Sequence, residues 1–340
     1  MAKRKETVPD YEKSPWMGFL FSWEFILLLI LVGIQIMNSM ISPNYLNAGS
    51  ISTAMMNFLD KSFMIFPMTM ILLLGEIDIS IGSTVALSAV GMGLVYQQTG
   101  SMVIAIVACL ILASVCGLLN GILVNLFPEL PTMIITLATL TIYRGFAYIL
   151  LENQSISGFP DWFQQLGWGK LGEIPLIALA FGFTAIVFCL IMTKTAFGRE
   201  LYAMGSNKKT SLFSGIKTKK NLLIVYTLMG AMAGITALFL SSRMSSVRAD
   251  IASGYELEVI SMCVLGGIST SGGKGKVFGP ILGTFIIGFL RYGLGIINLR
   301  AQTITMILGV LLIISVLITR FDLSKISTKW MKRGTINETK

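Results

Sequence analysis

Ten long apolar runs, separated by short polar segments, occupy the sequence from about residue 23 to residue 319. A helix needs about 20 mostly apolar residues to cross a bilayer, and these runs have about that length. They lie near 23–41, 51–74, 77–96, 101–126, 131–151, 173–193, 221–242, 256–272, 277–297 and 301–319. The second, third and eighth are the weakest, because they are short, rich in glycine or interrupted by charge. In lipid a segment must satisfy its own backbone hydrogen bonds, so the sequence predicts an all-α polytopic transmembrane bundle.

The composition excludes several classes of protein. Charged residues make up 13% of the chain and hydrophobic residues 54%, whereas a soluble domain has about 25% charged residues. There is no histidine, and the four cysteines lie in apolar runs without the spacing of metal ligands. Most zinc sites and the usual general base are therefore absent. The sequence predicts no catalytic residue, metal site or cofactor in this chain.

The formal net charge of +9 is unevenly distributed. Basic clusters occupy the N-terminal segment 1–22, the loop 194–220 and the tail 321–340, and cytoplasmic loops of membrane proteins carry such an excess of Lys and Arg. Six and then four predicted spans separate the three clusters, so even parity places both termini and the loop 194–220 in the cytoplasm. Residues 23–320 form the transmembrane domain. The charge then indicates a membrane orientation and not a nucleic-acid partner.

One nine-residue pattern recurs. Residues 74–82 (LGEIDISIG) can be laid over residues 265–273 (LGGISTSGG) at a constant offset, with Leu, Gly, Ile, Ser and Gly at matching places. A chance match in a glycine-rich chain is one explanation. The other is that the chain consists of two pseudo-repeated halves, since transporters often place interrupted helices of related halves beside their pathway.

Ionisable and polar residues inside apolar runs are functional candidates by default. Asp78 is either a carboxylate at the start of a helix, where the positive end of the helix dipole stabilises it, or a member of a structural polar network with Asn120 as its partner. Arg144 and Arg291 each lie about 20 Å along a predicted helix from its cytoplasmic start, at 1.5 Å per residue. They are either snorkelling arginines or lining of the substrate path, with Glu256 and Glu258 as candidate partners.

The basic loop 194–220 is too regular for a flexible connector. Leu201 and Met204 supply apolar contacts, Gly205 predicts a break, and Ser206 or Asn207 predicts a cap. The pattern is typical of a short helix that lies across the cytoplasmic face. Such a helix either binds anionic lipid or receives force from a cytoplasmic partner.

Three motifs, in order, resemble the bacterial sugar ABC importer permeases, and most closely the ribose, rhamnose and autoinducer-2 branch. The loop is similar to that family's G-R-x-x-x-A-x-G-x-N…G-I pattern through Gly198, Arg199, Ala203, Gly205, Asn207 and Gly215. The two glycine-rich signatures are matched by Gly75, Asp78, Ser80 and Gly82, and by Gly266, Gly267 and Gly273. The sequence departs from the family at Glu76, where a glycine is usual, and at 208–211, where the family is richer in alanine.

The resemblance implies a non-catalytic subunit of the bacterial inner membrane. Its partners would be a second permease copy or paralogue, a cytoplasmic ATPase and an extracytoplasmic sugar-binding protein. Residues 272–276 (GGKGK) lack the spacing of a phosphate-binding loop, so ATP hydrolysis is expected in another chain. The stretches 131–144 and 292–295 are more similar to the rhamnose and autoinducer-2 members than to the ribose ones. The alternatives are an ion-coupled transporter that uses Asp78, or an intramembrane enzyme acting on lipid, for which no nucleophile–base pair is present.

Overall fold

The computed structural model of the chain describes residues 23–152 and 154–320. The predicted segment 1–22 and tail 321–340 lie outside the described residues. The first seven helices are α1 (Trp23–Ile41), α2 (Ala48–Ser62), α3 (Ile65–Leu73), α4 (Ile81–Thr99), α5 (Met102–Leu126), α6 (Thr132–Leu151) and α7 (Asp161–Trp168). The next seven are α8 (Leu176–Lys194), α9 (Ala196–Ser206), α10 (Lys208–Phe213), α11 (Thr218–Met244), α12 (Tyr255–Leu265), α13 (Phe278–Ile296) and α14 (Ala301–Arg320).

Four two-residue strands accompany the helices. The strands β1 (Ile156–Ser157) and β4 (Ser246–Val247) pair antiparallel, as do β2 (Lys170–Leu171) and β3 (Ile174–Pro175). Together with α7, they give structure to the polar loop that follows α6. The predominantly helical architecture of a membrane protein is confirmed.

Six helices of the described chain are long and apolar enough to cross a bilayer: α1, α5, α6, α8, α11 and α13. They coincide with six of the ten predicted spans. The helices α2 and α3 form a seventh candidate span, bent by 43°, and they cover the predicted span 51–74. The total of ten spans and the cytoplasmic position of both termini stay predictions.

Two predicted spans are interrupted by backbone turns. The predicted span 256–272 contains helix only as far as Leu265, because α12 has 11 residues. At 1.5 Å per residue α12 is about 16 Å long, roughly half the hydrocarbon thickness of about 30 Å. The predicted span 77–96 begins helical structure only at Ile81. In both places a glycine-rich segment joins a short helix to a longer one.

The helix α4 is the centre of the bundle. Its first ten residues, 81–90, are all buried, and it packs against α5, α6 and α11. A helical segment that is buried on every side can carry small and hydroxyl-bearing residues, and Ser83, Thr84 and Ser88 are buried here.

The helices α5 and α11 pack through small residues. A Cβ added to Gly117 would lie 2.8 Å from the Cα of Gly230, so the two backbones approach more closely than any larger residue allows. In lipid this close van der Waals packing drives helix association. The contact joins an early helix of the chain to a late one around the central α4.

Candidate functional site

Both glycine-rich signatures end a short helix in the same way. At the end of α3, the backbone N–H of Glu76 donates to the carbonyl five residues earlier (3.1 Å) and that of Gly75 to the carbonyl three residues earlier (2.9 Å). At the end of α12, Ile268 and Gly267 form the same two bonds (3.1 and 2.9 Å). This is the Schellman motif, which places a residue with positive φ directly after the helix.

Glycine is required at these two positions because φ is +77° at Gly75 and +87° at Gly267. The turn of the first signature therefore corresponds to Gly267 and not to Gly266, one residue later than the constant offset predicted. The two helices that precede the turns are also in contact, since the Oγ1 of Thr69 lies 3.6 Å from the Sγ of Cys263.

The helix α9 of the predicted loop lies against the first turn and against the end of the second signature. The backbone N–H of Gly273 donates to the carbonyl of Leu73 over 2.8 Å, and this bond joins the two signatures. A Cβ on Gly205 would lie 2.7 Å from the nitrogen of Gly273 and would overlap the oxygen of Leu73. Three motifs that are far apart in sequence thus meet at one point, and Gly205 fills the space between the other two.

Side chains hold α9 in this position. The hydroxyl of Tyr202 donates to the carbonyl of Gly275 (3.0 Å), and burial raises the pKa of Tyr202, which keeps the hydroxyl protonated. The amide of Asn221 in α11 donates to Glu200 in α9 (2.6 Å). The helix is therefore fixed to the second signature and to a membrane-spanning helix at once.

Two departures from the family pattern contact one another. The Nζ of Lys208 lies 3.3 Å from the Oε1 of Glu76, and the hydroxyl of Thr132 donates to Oε2 of the same carboxylate (2.8 Å). Glu76, which stands where the family has a glycine, thus pairs with Lys208, which belongs to the segment where the family is richer in alanine.

This pair predicts a small but specific coupling. Lys208→Glu would place two carboxylates together, and we expect it to lower the free energy of unfolding, while Lys208→Glu with Glu76→Lys restores it. Lys208 is largely exposed, so the coupling energy in a double-mutant cycle should be about 0.2–1 kcal/mol. The cycle is measured by unfolding of the detergent-solubilised protein, with Lys209→Glu as the matched control. If Lys208→Glu had the same effect in the native chain and in the Glu76→Lys variant, the predicted coupling between Lys208 and Glu76 would be contradicted.

The caps of the loop helices follow the predicted residue types. The side chain of Asn207 accepts from the N–H of Thr210 (3.0 Å) and begins α10, so the predicted cap at Asn207 is present. The predicted break at Gly205 is wrong, because α9 continues through Gly205 and ends at Ser206. Gly215 has φ +83° and open space around its Cα, so it is the turn that closes the loop.

The remaining loop residues divide into a packed and an exposed set. A Cβ on Gly198 would lie 2.7 Å from the Cα of Met192 at the end of α8. Arg199 and Ala203, four residues apart on α9, are exposed, and Phe213 at the end of α10 is 90% exposed. An exposed aromatic ring on a polar loop is available to a partner.

Asp78 belongs to a buried hydrogen-bonded network. Its Oδ1 accepts from the backbone N–H (2.9 Å) and the hydroxyl (2.7 Å) of Ser80. The amide of Asn120 donates to the same hydroxyl (2.7 Å), and the hydroxyl of Tyr143 donates to Asn120 (3.0 Å). The structure thus places Asn120 next to Asp78, with Ser80 between them, at the start of α4.

Gly82 and Gly266 permit close contacts. A Cβ on Gly82 would lie 2.6 Å from the carbonyl of Ala252 and would overlap the Glu256 carboxylate. A Cβ on Gly266 would lie 2.6 Å from the Cα of Pro280. These two glycines of the signatures are therefore packing positions, unlike the two at the turns.

The two arginines have different surroundings. Arg144 donates to the backbone carbonyls of Ala249 (2.7 Å) and Ile251 (2.8 Å), and so holds the segment before α12. Arg291 pairs with Glu258, and it lines a cavity of about 490 Å³. The structure does not bring the two arginines together, and of the two only Arg291 lines this cavity.

Four further ionisable residues surround this cavity. Lys61 lies 2.6 Å from the same Glu258, and Arg243 lies 2.7 Å from Asp60. The hydroxyl of Tyr255 approaches Asp60 to 3.3 Å. Sequence reasoning singled out Arg291 and Glu258 but missed Asp60 and Lys61. Their signal was present, since adjacent charges interrupt the predicted span 51–74.

A helical membrane bundle with interrupted helices, whose glycine-rich signatures meet a polar loop helix, fits a permease subunit. The chain belongs to the family described as "Branched-chain amino acid transport system / permease component", which matches residues 50–316. It is a multi-pass permease of the bacterial inner membrane.

Two relatives cover almost the whole chain. The chain is similar to the autoinducer 2 import system permease protein LsrD of Photorhabdus temperata, with 31% identity over 324 residues, 93% of this chain and 97% of the relative. It is also similar to the ribose import permease protein RbsC of Bacillus subtilis (strain 168), with 33% identity over 309 residues, 90% and 92% of the two chains. No solved structure matches the chain significantly.

Proposed function

We propose that this chain is the membrane subunit of an ATP-binding-cassette importer that moves a small sugar into the bacterial cell. In this proposal a separate cytoplasmic ATPase supplies the energy, and an extracytoplasmic binding protein delivers the sugar. A second copy of the chain, or a close paralogue, completes the pathway. The relatives named for ribose and autoinducer-2 import support this class of substrate.

The contact of α9 with both glycine-rich signatures is the observation that carries the proposal. The N–H of Gly273 is bonded to the carbonyl of Leu73, and Gly205 lies against both atoms. A movement of α9 therefore acts on the end of α3 and on the segment between α12 and α13 together. Coupling requires that the two shapes of the bundle bind the partner with different free energies. A rigid contact of this kind transmits such a difference, whereas a flexible loop would dissipate it.

The exposed end of the loop is the proposed ATPase contact. Phe213 is 90% exposed and Leu212 59% exposed, next to the cationic residues of the loop. A desolvated aromatic ring surrounded by charges is a typical anchor of a protein interface. The same segment is joined to Glu76 through Lys208, so a partner bound at α10 is connected to the first signature.

The experiment is the change Phe213→Ala in the tagged permease, expressed with the ATPase encoded beside it. We expect retention of the ATPase on affinity purification to fall by at least about tenfold, because an aromatic anchor contributes roughly 2 kcal/mol or more to binding. ATP-driven sugar uptake into proteoliposomes should fall in parallel. Phe183→Ala is the matched control, since Phe183 is 70% exposed on the predicted membrane span α8.

Two results would contradict the proposal. Full retention of the ATPase by Phe213→Ala would remove α10 from the interface. Uptake that needs no ATPase and stops when an ionophore collapses the ion gradient would identify the ion-coupled transporter instead. The burial of Asp78 behind Ser80 and Asn120 speaks against that alternative, because a coupling carboxylate must exchange ions with water.

A further inference from the structure

The charged residues that line the cavity between α2, α11, α12, α13 and α14 are all positive. Three cations line it: Lys61, Arg243 and Arg291. The other polar lining residues are Asn57, Tyr255 and Tyr292, and no carboxylate lines the cavity among the described residues. Its volume of about 490 Å³ falls in the range of about 300–1,000 Å³ that is typical of small-molecule sites.

The two nearby carboxylates lie behind the two arginines. The side chain of Asp60 is 0% exposed and that of Glu258 is 11% exposed, whereas those of Arg243 and Arg291 are 17% and 34% exposed. Glu258 accepts from both Lys61 and Arg291, and Asp60 accepts from Arg243. The carboxylates thus fix the directions of the cationic groups. The two arginines form the surface that a ligand meets, and Lys61 is buried beneath it.

The charges of this cluster do not balance. In formal charges, two carboxylates face three cations, which leaves one positive charge in excess. An excess charge is costly in a low dielectric. One anionic group in the cavity would offset it.

We propose that this cavity binds a small polyhydroxylated monocarboxylate, that is, a sugar acid, and not a neutral sugar. The proposal deepens the importer function and rests on it for the sugar character of the ligand. The carboxylate meets the guanidinium groups, with which it forms strong charge-assisted hydrogen bonds, while Asn57 and the tyrosine hydroxyls suit the hydroxyl groups. A phosphate ester fits less well, because it carries about −1.5 to −2 charges at pH 7 against a single excess positive charge.

The charge of the cavity can be measured without transport by placing one cysteine in its wall. Gly295 lines the cavity, and a Cβ added there meets no atom within 4 Å. Gly295→Cys is assembled with its ATPase in lipid nanodiscs, and its rates of modification by an anionic and a cationic methanethiosulfonate reagent are compared. Ser157→Cys in the exposed part of β1 is the reference position. The native chain gives the background: Cys109, Cys116 and Cys263 are buried, and Cys189 in α8 is half-buried.

At each position we take the ratio of the anionic to the cationic modification rate. We expect this ratio to be at least about tenfold higher at residue 295 than at residue 157, which is the lower limit for a cleft lined by one sign of charge. Arg291→Gln should bring this ratio close to that at residue 157, and Arg291→Lys should keep it. Folding survives Arg291→Gln because Glu258 retains Lys61 at 2.6 Å. Equal ratios at the two positions would overturn the proposal.

The ligand class is tested by protection of the same cysteine. Millimolar D-galacturonate should slow modification of residue 295 by a neutral thiol reagent, and D-galactose and D-galactose 6-phosphate should not. Protection by D-galactose alone, or by the phosphate ester alone, would overturn the proposal. Protection needs no ATP, so the experiment separates the importer function from the ligand class. If D-galacturonate protects the cysteine but ATP-driven sugar uptake is absent, the importer function is refuted. If ATP-driven sugar uptake is present but D-galacturonate does not protect the cysteine, the ligand class is refuted.

Discussion

Gly205→Ala is expected to insert and fold, yet to lose sugar uptake and stimulated ATP hydrolysis. The added methyl group would overlap the carbonyl of Leu73 and lie 2.7 Å from the nitrogen of Gly273. Both neighbours are backbone atoms, so neither can rotate away, and overpacking of this kind costs about 1–3 kcal/mol. The strain acts on the contact between α9 and the two glycine-rich signatures, and a coupling change of 1–3 kcal/mol is roughly 5–150-fold.

The measurement is ATPase activity of the reconstituted complex, with and without liganded binding protein, together with uptake into the same proteoliposomes. Gly182→Ala is the matched control, because a Cβ at Gly182 in α8 meets no atom within 4 Å. The amount of inserted permease should equal that of the native chain in both variants. Stimulation and uptake that are intact in Gly205→Ala would remove α9 from the coupling mechanism.

The membrane class and most of the helices could be predicted from the sequence, because the requirement for about 20 apolar residues per span is strong and local. Six predicted spans coincide with long helices. The failures are also local in cause: α12 ends at Leu265 because a Schellman turn follows it, and hydropathy does not register a turn between two apolar segments. The positive φ of Gly267 is a property of the folded backbone. A glycine in the sequence permits this conformation but does not predict it.

The residues of the candidate site were found by motif, but their roles were not. The loop motif included Gly205, and the natural interpretation of a glycine in a helical pattern was a break. The structure gives the other use of glycine, the close approach of a second backbone. That approach depends on where Leu73 and Gly273 lie in space, 132 and 68 residues away along the chain, and no local pattern contains this information.

The charged cavity was half predicted. Arg291 and Glu258 were singled out because ionisable residues inside a span are costly unless paired, and the structure pairs them. Asp60 and Lys61 received no attention because they fall in a weak span. The same physical rule applies to them more strongly, since both are almost completely buried. A weak span that contains adjacent opposite charges is therefore better interpreted as part of a charged cavity.

Glu258→Gln is expected to destabilise the permease by about 3–5 kcal/mol, the usual effect of removing one partner from a buried ion pair. Glu258 accepts from both Lys61 and Arg291, and the Lys61 side chain is only 3% exposed. The amide keeps the shape of the carboxylate but none of its charge, so at least one cation would stay buried without an anion. The measurement is the midpoint of thermal unfolding of the detergent-solubilised protein.

If an unpaired buried cation causes the destabilisation, a second result is expected that altered packing would not predict. Glu258→Gln combined with Lys61→Met removes the buried cation together with its anion, so of the two cations that Glu258 pairs only Arg291, whose side chain is 34% exposed, stays without a carboxylate. We therefore expect the double variant to be more stable than Glu258→Gln alone. Glu129→Gln, an exposed carboxylate between α5 and α6, should leave the midpoint unchanged. A double variant that is less stable than Glu258→Gln would show that shape, and not the unpaired charge, determines the loss, and the surplus of positive charge in the cavity would then lose its energetic basis.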